Sequence, residues 1–86
     1  MAKTVYKYPA PIGEVQLPDI ATIVHVGMQN GVITVWAEVP LFPPTPAWEQ
    51  RSYKIYGTGQ PIPDNAVHVT TLFDGPFVWH LYEVPA

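Results

Sequence analysis

The chain has 86 residues, enough for one domain and too few for two. A composition of 48% hydrophobic and 13% aromatic residues excludes disorder, and a formal net charge of -3 with four cations excludes a DNA or RNA duplex as the main partner. The absence of cysteine excludes a disulfide framework and a thiolate metal site.

Val, Ile and Thr together supply 24 residues and Leu four, a vocabulary suited to pleated surfaces. Eleven prolines divide the chain. A central strand cannot spare its N–H, so the proline-free runs are the predicted strands. In chain order they cover residues 3–8, 14–17, 20–29, 32–39, 51–57, 66–73 and 77–84. This pattern predicts an all-β fold, a small antiparallel sandwich or partly open barrel of six to seven strands with little or no helix, in a single domain over residues 1–86. The one helical signal is Thr45 as a cap with Pro46 behind it, which predicts one turn at most. No apolar run is long enough to cross a membrane as a helix, and residues 1–7 lack the apolar stretch of a signal peptide, so a soluble chain with no membrane partner is expected.

Two hairpins can be registered. Asn30-Gly31 lies between two apolar runs, and both residues tolerate the positive φ of a type I′ turn. A two-residue turn pairs Gln29 with Val32. It sets Met28, Val26 and Val24 against Ile33, Val35 and Ala37 on a core face. The opposite face receives Gly27 beside Thr34, His25 beside Trp36, and Ile23 beside Glu38. Gly27 leaves room for the indole of Trp36 to lie along the sheet. The second hairpin turns at Asp74-Gly75-Pro76. A three-residue loop pairs Phe73 with Phe77, Thr71 with Trp79 and Val69 with Leu81 on the core face. Leu72, Thr70 and His68 then face Val78, His80 and Tyr82 outside. The preceding strand adds Tyr53 and Ile55 to one face and Lys54 and Tyr56 to the other.

This register leaves three histidines, Trp36, Tyr56, Tyr82, Ile23, Leu72 and Val78 on faces the core does not need. A contiguous apolar outer face points to a second copy, a ligand or a covering segment of the same chain. Catalytic chemistry finds little support. Ser52 is the only serine and has no nucleophile elbow around it. The three histidines match no short metal-ligand spacing, and the carboxylates fall at turns and strand ends, so neither a metal, a cofactor nor an enzyme activity is expected. The segment Gly57-Thr58-Gly59-Gln60-Pro61 has two glycines whose N–H groups can converge on an anion, with Arg51 the nearest cation besides Lys54. The predicted ligand-binding residues are therefore His25, Trp36, Arg51, Tyr56, Gly57, Thr58 and Gly59, the aromatics serving to stack on a base.

Four stretches in order, Lys3-Thr4-Val5-Tyr6-Lys7-Tyr8-Pro9, His25-Val26-Gly27-Met28-Gln29-Asn30-Gly31, Ile55-Tyr56-Gly57-Thr58-Gly59-Gln60-Pro61-Ile62-Pro63 and Pro76-Phe77-Val78-Trp79-His80-Leu81-Tyr82-Glu83, resemble a family of small phage-encoded proteins of unknown function. The resemblance spans nearly the whole chain. It implies an accessory protein acting in the cytoplasm of the infected bacterium and assigns no catalytic residue. The expected function is a non-catalytic binding protein, a homo-oligomer that counters host defence by sequestering a small nucleotide signal or by docking on a host protein. The alternative is a structural, minor virion-associated β protein.

Overall fold

A computed structural model describes residues 2–41 and 49–85. The helical turn expected at Thr45 and Pro46 lies outside these residues. Seven strands run in chain order: β1 Lys3–Pro9, β2 Glu14–Pro18, β3 Thr22–Gln29, β4 Val32–Pro40, β5 Gln50–Gly57, β6 Val67–Asp74 and β7 Phe77–Val84. They form two sheets of order β1-β4-β3 and β2-β5-β7-β6, with every adjacent pair antiparallel. The fold is an all-β sandwich and not a closed barrel. β1 approaches β2 at one side and β3 approaches β6 at the other.

The core lies between the sheets. Val35 and Ala37 of β4 meet Leu17 of β2, Tyr53 of β5 and Leu81 of β7, with Tyr8, Val15, Ile23, Val26, Ile55 and Val69 packed around them. Each fully buried aliphatic side chain contributes about 1.5–3 kcal/mol of transfer free energy, so these few residues dominate a small domain. Ala10 carries the β1–β4 ladder one rung past Pro9, its N–H donating to Ile33 O, and Gly13 at φ 81° then turns the chain across to the second sheet.

The Asn30-Gly31 turn is present, with φ 52° and 77°. The expected pairs hold from Gln29 and Val32 to His25 and Trp36. A β-bulge then intervenes, so that Ile23 pairs with Ala37 and Thr22 with Glu38. The extra residue reverses the faces behind it. Ile23 packs on the core rather than outside it, and Val24 is exposed rather than buried. The space above Gly27 is taken not by the indole of Trp36 but by the imidazole of His25, whose Nε2 would lie 2.9 Å from a Cβ there.

The second hairpin corrects the expected three-residue loop. Asp74 pairs with Phe77 across a two-residue turn, Gly75-Pro76, with Gly75 at φ 57°. Leu72 therefore pairs with Trp79 and Thr70 with Leu81 on the inner face, whereas Thr71 joins His80 and Phe73 joins Val78 outside. A bulge between His68 and Thr70 restores the expected pairing of His68 with Tyr82. Leu72 is buried and Phe73 is 75% exposed, the reverse of the sequence expectation.

β5 and β6 both pair antiparallel to β7 and so run parallel to each other, with β7 between them. Residues 58–66 must climb back along β7, from the level of Trp79 to that of Glu83, and cross it. That path is about 13 Å along the strands and about 10 Å across two strand spacings, well within the reach of the segment. The inner face of β7 is filled at Leu81 by the opposite sheet. The crossover therefore runs over the outer face, where Thr58 hydrogen-bonds His80.

Candidate binding site

The outer face of β5, β7 and β6 carries a connected polar and aromatic cluster beneath the crossover. Thr58 Oγ1 lies 2.9 Å from His80 Nε2, His80 Nδ1 lies 2.9 Å from Thr71 Oγ1, and the same hydroxyl lies 2.9 Å from His68 Nε2. A hydroxyl both donates and accepts, so Thr71 can serve both imidazoles at once. Tyr82 meets Tyr56 edge-on at 5.8 Å and His68 at 5.2 Å. Tyr56 is only 7% exposed although it points away from the core. The chain thus covers part of its own outer aromatic face.

Where β5 leaves this face, residues 57–60 close on themselves. Gln60 N–H donates to Gly57 O, and Gly59 at φ 91° occupies the third position, the pattern of a type II turn. Gly57 N–H donates to Gln60 Oε1 at 2.6 Å. The glycine N–H at Gly57 is thereby occupied within the loop, unlike the open anion nest expected from sequence. Gly57 and Thr58 instead form one wall of a cleft of about 430 Å³, whose other wall is Pro76, Phe77, Val78 and Trp79. Phe77 and Trp79 stack with centroids 6.0 Å apart and planes 23° apart. Phe77 is 57% exposed.

The sequence-predicted site residues fall in three places. Tyr56, Gly57, Thr58 and Gly59 lie together at the end of β5. His25 and Trp36, tilted at 46° with centroids 5.4 Å apart, sit on the outer face of the other sheet, across the core. Arg51 lies at the opposite end of β5, where its Nε and Nη2 donate to Glu83 Oε2 and Oε1 at 2.9 and 2.5 Å, with Asp19 at 3.9 Å. The bidentate bond to Glu83 raises the guanidinium pKa above its ordinary value. Arg51 is therefore committed to carboxylates and is remote from the glycines. The sequence reading puts Phe77 and Trp79 on the inner face, where the structure keeps them, but it does not foresee that Phe77 stands 57% exposed at the hairpin tip. The signal was Phe73-Asp74-Gly75-Pro76-Phe77, two rings bracketing a tight turn, where a hairpin tip outruns the opposing sheet. Among the described residues, no group of three metal-ligating side chains converges.

Two tyrosines make the fold sensitive to alkali. Burial raises the Tyr53 pKa above 10, with Arg51 opposing and Glu83 and Asp19 adding to the rise. Burial, then Tyr6, raises Tyr8. The folded state holds these protons more tightly than the unfolded chain, so stability is intact below pH 10 and falls as pH rises through the folded values. Urea midpoints should drop between pH 9 and pH 11 on this account. Tyr53→Phe should flatten part of the decline, and an unchanged slope would remove Tyr53 from it.

No helix among the described residues is long and apolar enough to cross a membrane. Comparison with curated proteins and with solved structures finds no match. A family model described as a domain of unknown function (DUF7352) matches residues 1–86, and the chain belongs to that family.

Proposed function

We propose that this chain is a non-catalytic, self-associating binding protein that captures a planar ligand in the cleft between Gly57-Thr58 and Phe77-Trp79. The observation that carries this reading is the Phe77–Trp79 stack, held in a cleft wall with Phe77 largely open to water. A ligand ring laid on such a platform gains about 1–3 kcal/mol from stacking. The Thr58 hydroxyl and the turn backbone supply polar contacts at the rim. Arg51 is spent on Glu83, so ring recognition rather than phosphate pairing carries the affinity. The resemblance to phage-encoded proteins supports action in the cytoplasm of an infected bacterium. Capture of the base of a nucleotide signal there would blunt a host defence without any chemistry on the ligand.

Calorimetric titration with adenine and guanine mononucleotides, cyclic dinucleotides and ADP-ribose tests the reading. Saturable heat is expected with one class, weakened about tenfold in Phe77→Ala, which removes about 1.4 kcal/mol of stacking. Flat titrations with every ligand would overturn ring capture.

A further inference from the structure

Of the four sheet edges, three are interrupted. β3 carries the bulge at Val24, and β6 carries the one at Val69. These two irregularities line the same groove, with Ile23, His25, Val26 and Thr70 beside them. β2 is five residues long and ends in Pro18. β1 differs. Its seven residues pair with β4 without a break, from Lys3 opposite Pro40 to Pro9 opposite Thr34. Natural sheets guard their edges with bulges, short strands, prolines and charged side chains, lysine above all; β1 has Pro9 at one end and Lys3 and Lys7 along its length, but no bulge and no shortening.

The direction of its free hydrogen-bonding groups follows from two flanking bonds. Leu41 N–H donates to Ala2 O, and Ala10 N–H donates to Ile33 O. Antiparallel pairs alternate between bonded and non-bonded residues. Positions 4, 6 and 8 therefore exchange their backbone bonds with β4, and positions 3, 5, 7 and 9 aim theirs at the open edge. Both faces are also thinly covered there. Val5 on the outer face is 49% exposed, and Tyr6, on the side of the core, is 51% exposed.

We propose that β1 pairs antiparallel with β1 of a second copy, joining the two three-stranded sheets into one of six strands. This deepens the self-association in the reading above and uses residues apart from the cleft. Among the same-parity registers that pair five or more residues of β1, the lysines select one. Joining the sheets with both cores on the same side requires residues of like parity to face each other. Pairing Val5 with Val5 would set Lys3 against Lys7, and pairing Lys7 with Lys7 sets like charges face to face, which costs stability. Pairing Tyr6 with Tyr6 sets Lys7 against Val5 and Lys3 against Pro9, with no lysine opposite a lysine. Each Val5–Lys7 pair then exchanges two N–H···O bonds, and each Lys3 N–H finds a Pro9 carbonyl. Proline at position 9 completes only half of its pair: its carbonyl accepts, but it has no N–H to return, so the Lys3 carbonyl at the end of the ladder is left to water. The two Tyr6 residues form a non-hydrogen-bonded pair, the closer kind, with Cα atoms about 4.5 Å apart.

The cysteine-free chain makes this directly testable. Tyr6→Cys places two sulfurs within disulfide reach, about 4.4–6.8 Å between Cα atoms. Mild oxidation should convert it almost wholly to a covalent dimer, and Thr4→Cys, whose partner in this register is Tyr8, should stay monomeric on a denaturing gel. Wild-type protein should sediment as a dimer. Val5→Pro removes an N–H that no bond among the described residues uses, so it should keep the far-ultraviolet spectrum and sediment as a monomer. A wild-type monomer would overturn both this pairing and the self-association. A wild-type dimer that survives Val5→Pro, or that cross-links equally through positions 4 and 6, would overturn the pairing alone.

Discussion

Leu81→Ala is expected to destabilise the protein by about 3 kcal/mol, within the range of about 2–5 kcal/mol for truncating a leucine in a packed core. Leu81 has no exposed surface and sits at the centre of β7, opposite Ile55 on one side and Thr70 on the other. Its side chain meets Leu17, Val35, Ala37 and Tyr53, which come from both sheets. Truncation leaves a void that β4 cannot follow inward, because β4 is itself held between β1 and β3. A domain of this size has about 4–13 kcal/mol of total stability, so the loss is a large share of the whole. The melting temperature should fall by roughly 12–24 °C at about 4–8 °C per kcal/mol. Chemical denaturation of the variant beside Leu41→Ala, a leucine 45% exposed, measures the contrast. A cost below about 1 kcal/mol at Leu81 would mean that the sheets close over the gap and that the core is softer than its burial implies.

Gly31→Val carries the second largest expected effect, about 2 kcal/mol from one residue forced into left-handed backbone. Gly31 sits at φ 77° beside Asn30 at φ 52°. No Cβ placed at Gly31 would meet a neighbour within 4 Å, so crowding by other residues is not the cause. The penalty is in the valine's own backbone, where a β-branched side chain is most hindered. The chain can relieve it by abandoning the type I′ turn, at the expense of the pairs from Gln29 to His25. Equilibrium unfolding should show the loss, and Gly31→Asn should recover most of it, because asparagine tolerates this region. Equal stability of the valine and asparagine variants would contradict the account.

The seven strands were legible because proline and glycine mark where backbone pairing must stop, and the observed ends differ from the sequence reading by at most two residues. The Asn30-Gly31 register was legible for the same local reason, two residues that accept positive φ. Both failures came from bulges. Alternation along a strand assumes one residue per pleat, and nothing in Ile23-Val24-His25 or His68-Val69-Thr70 announces an extra one. At β6 the bulge also misled the turn. A two-residue turn followed by a bulge returns His68 to the pairing that a three-residue turn without one gives, so the pattern alone could not separate them. The candidate site was partly legible. Gly57 and Thr58 were marked by composition, but His25, Trp36 and Arg51 were grouped with them by chemistry alone. Which sheet and which strand end carries a residue is a long-range property, decided by the β5-to-β6 crossover rather than by local sequence.

The order β2-β5-β7-β6 has a consequence for synthesis. β7 is the last strand in the sequence, yet it sits between two strands made before it. Until it emerges, β5 and β6 cannot join, and each holds out a row of unsatisfied amides. At about 5–20 residues per second the ten residues from the end of β6 to the end of β7 take about 0.5–2 s to add, so that vulnerable interval is brief but unavoidable. Folding of the four-stranded layer therefore waits for β7: a nascent chain interrupted before Phe77 has no wedge to lock its halves together and is the species most prone to stick to others.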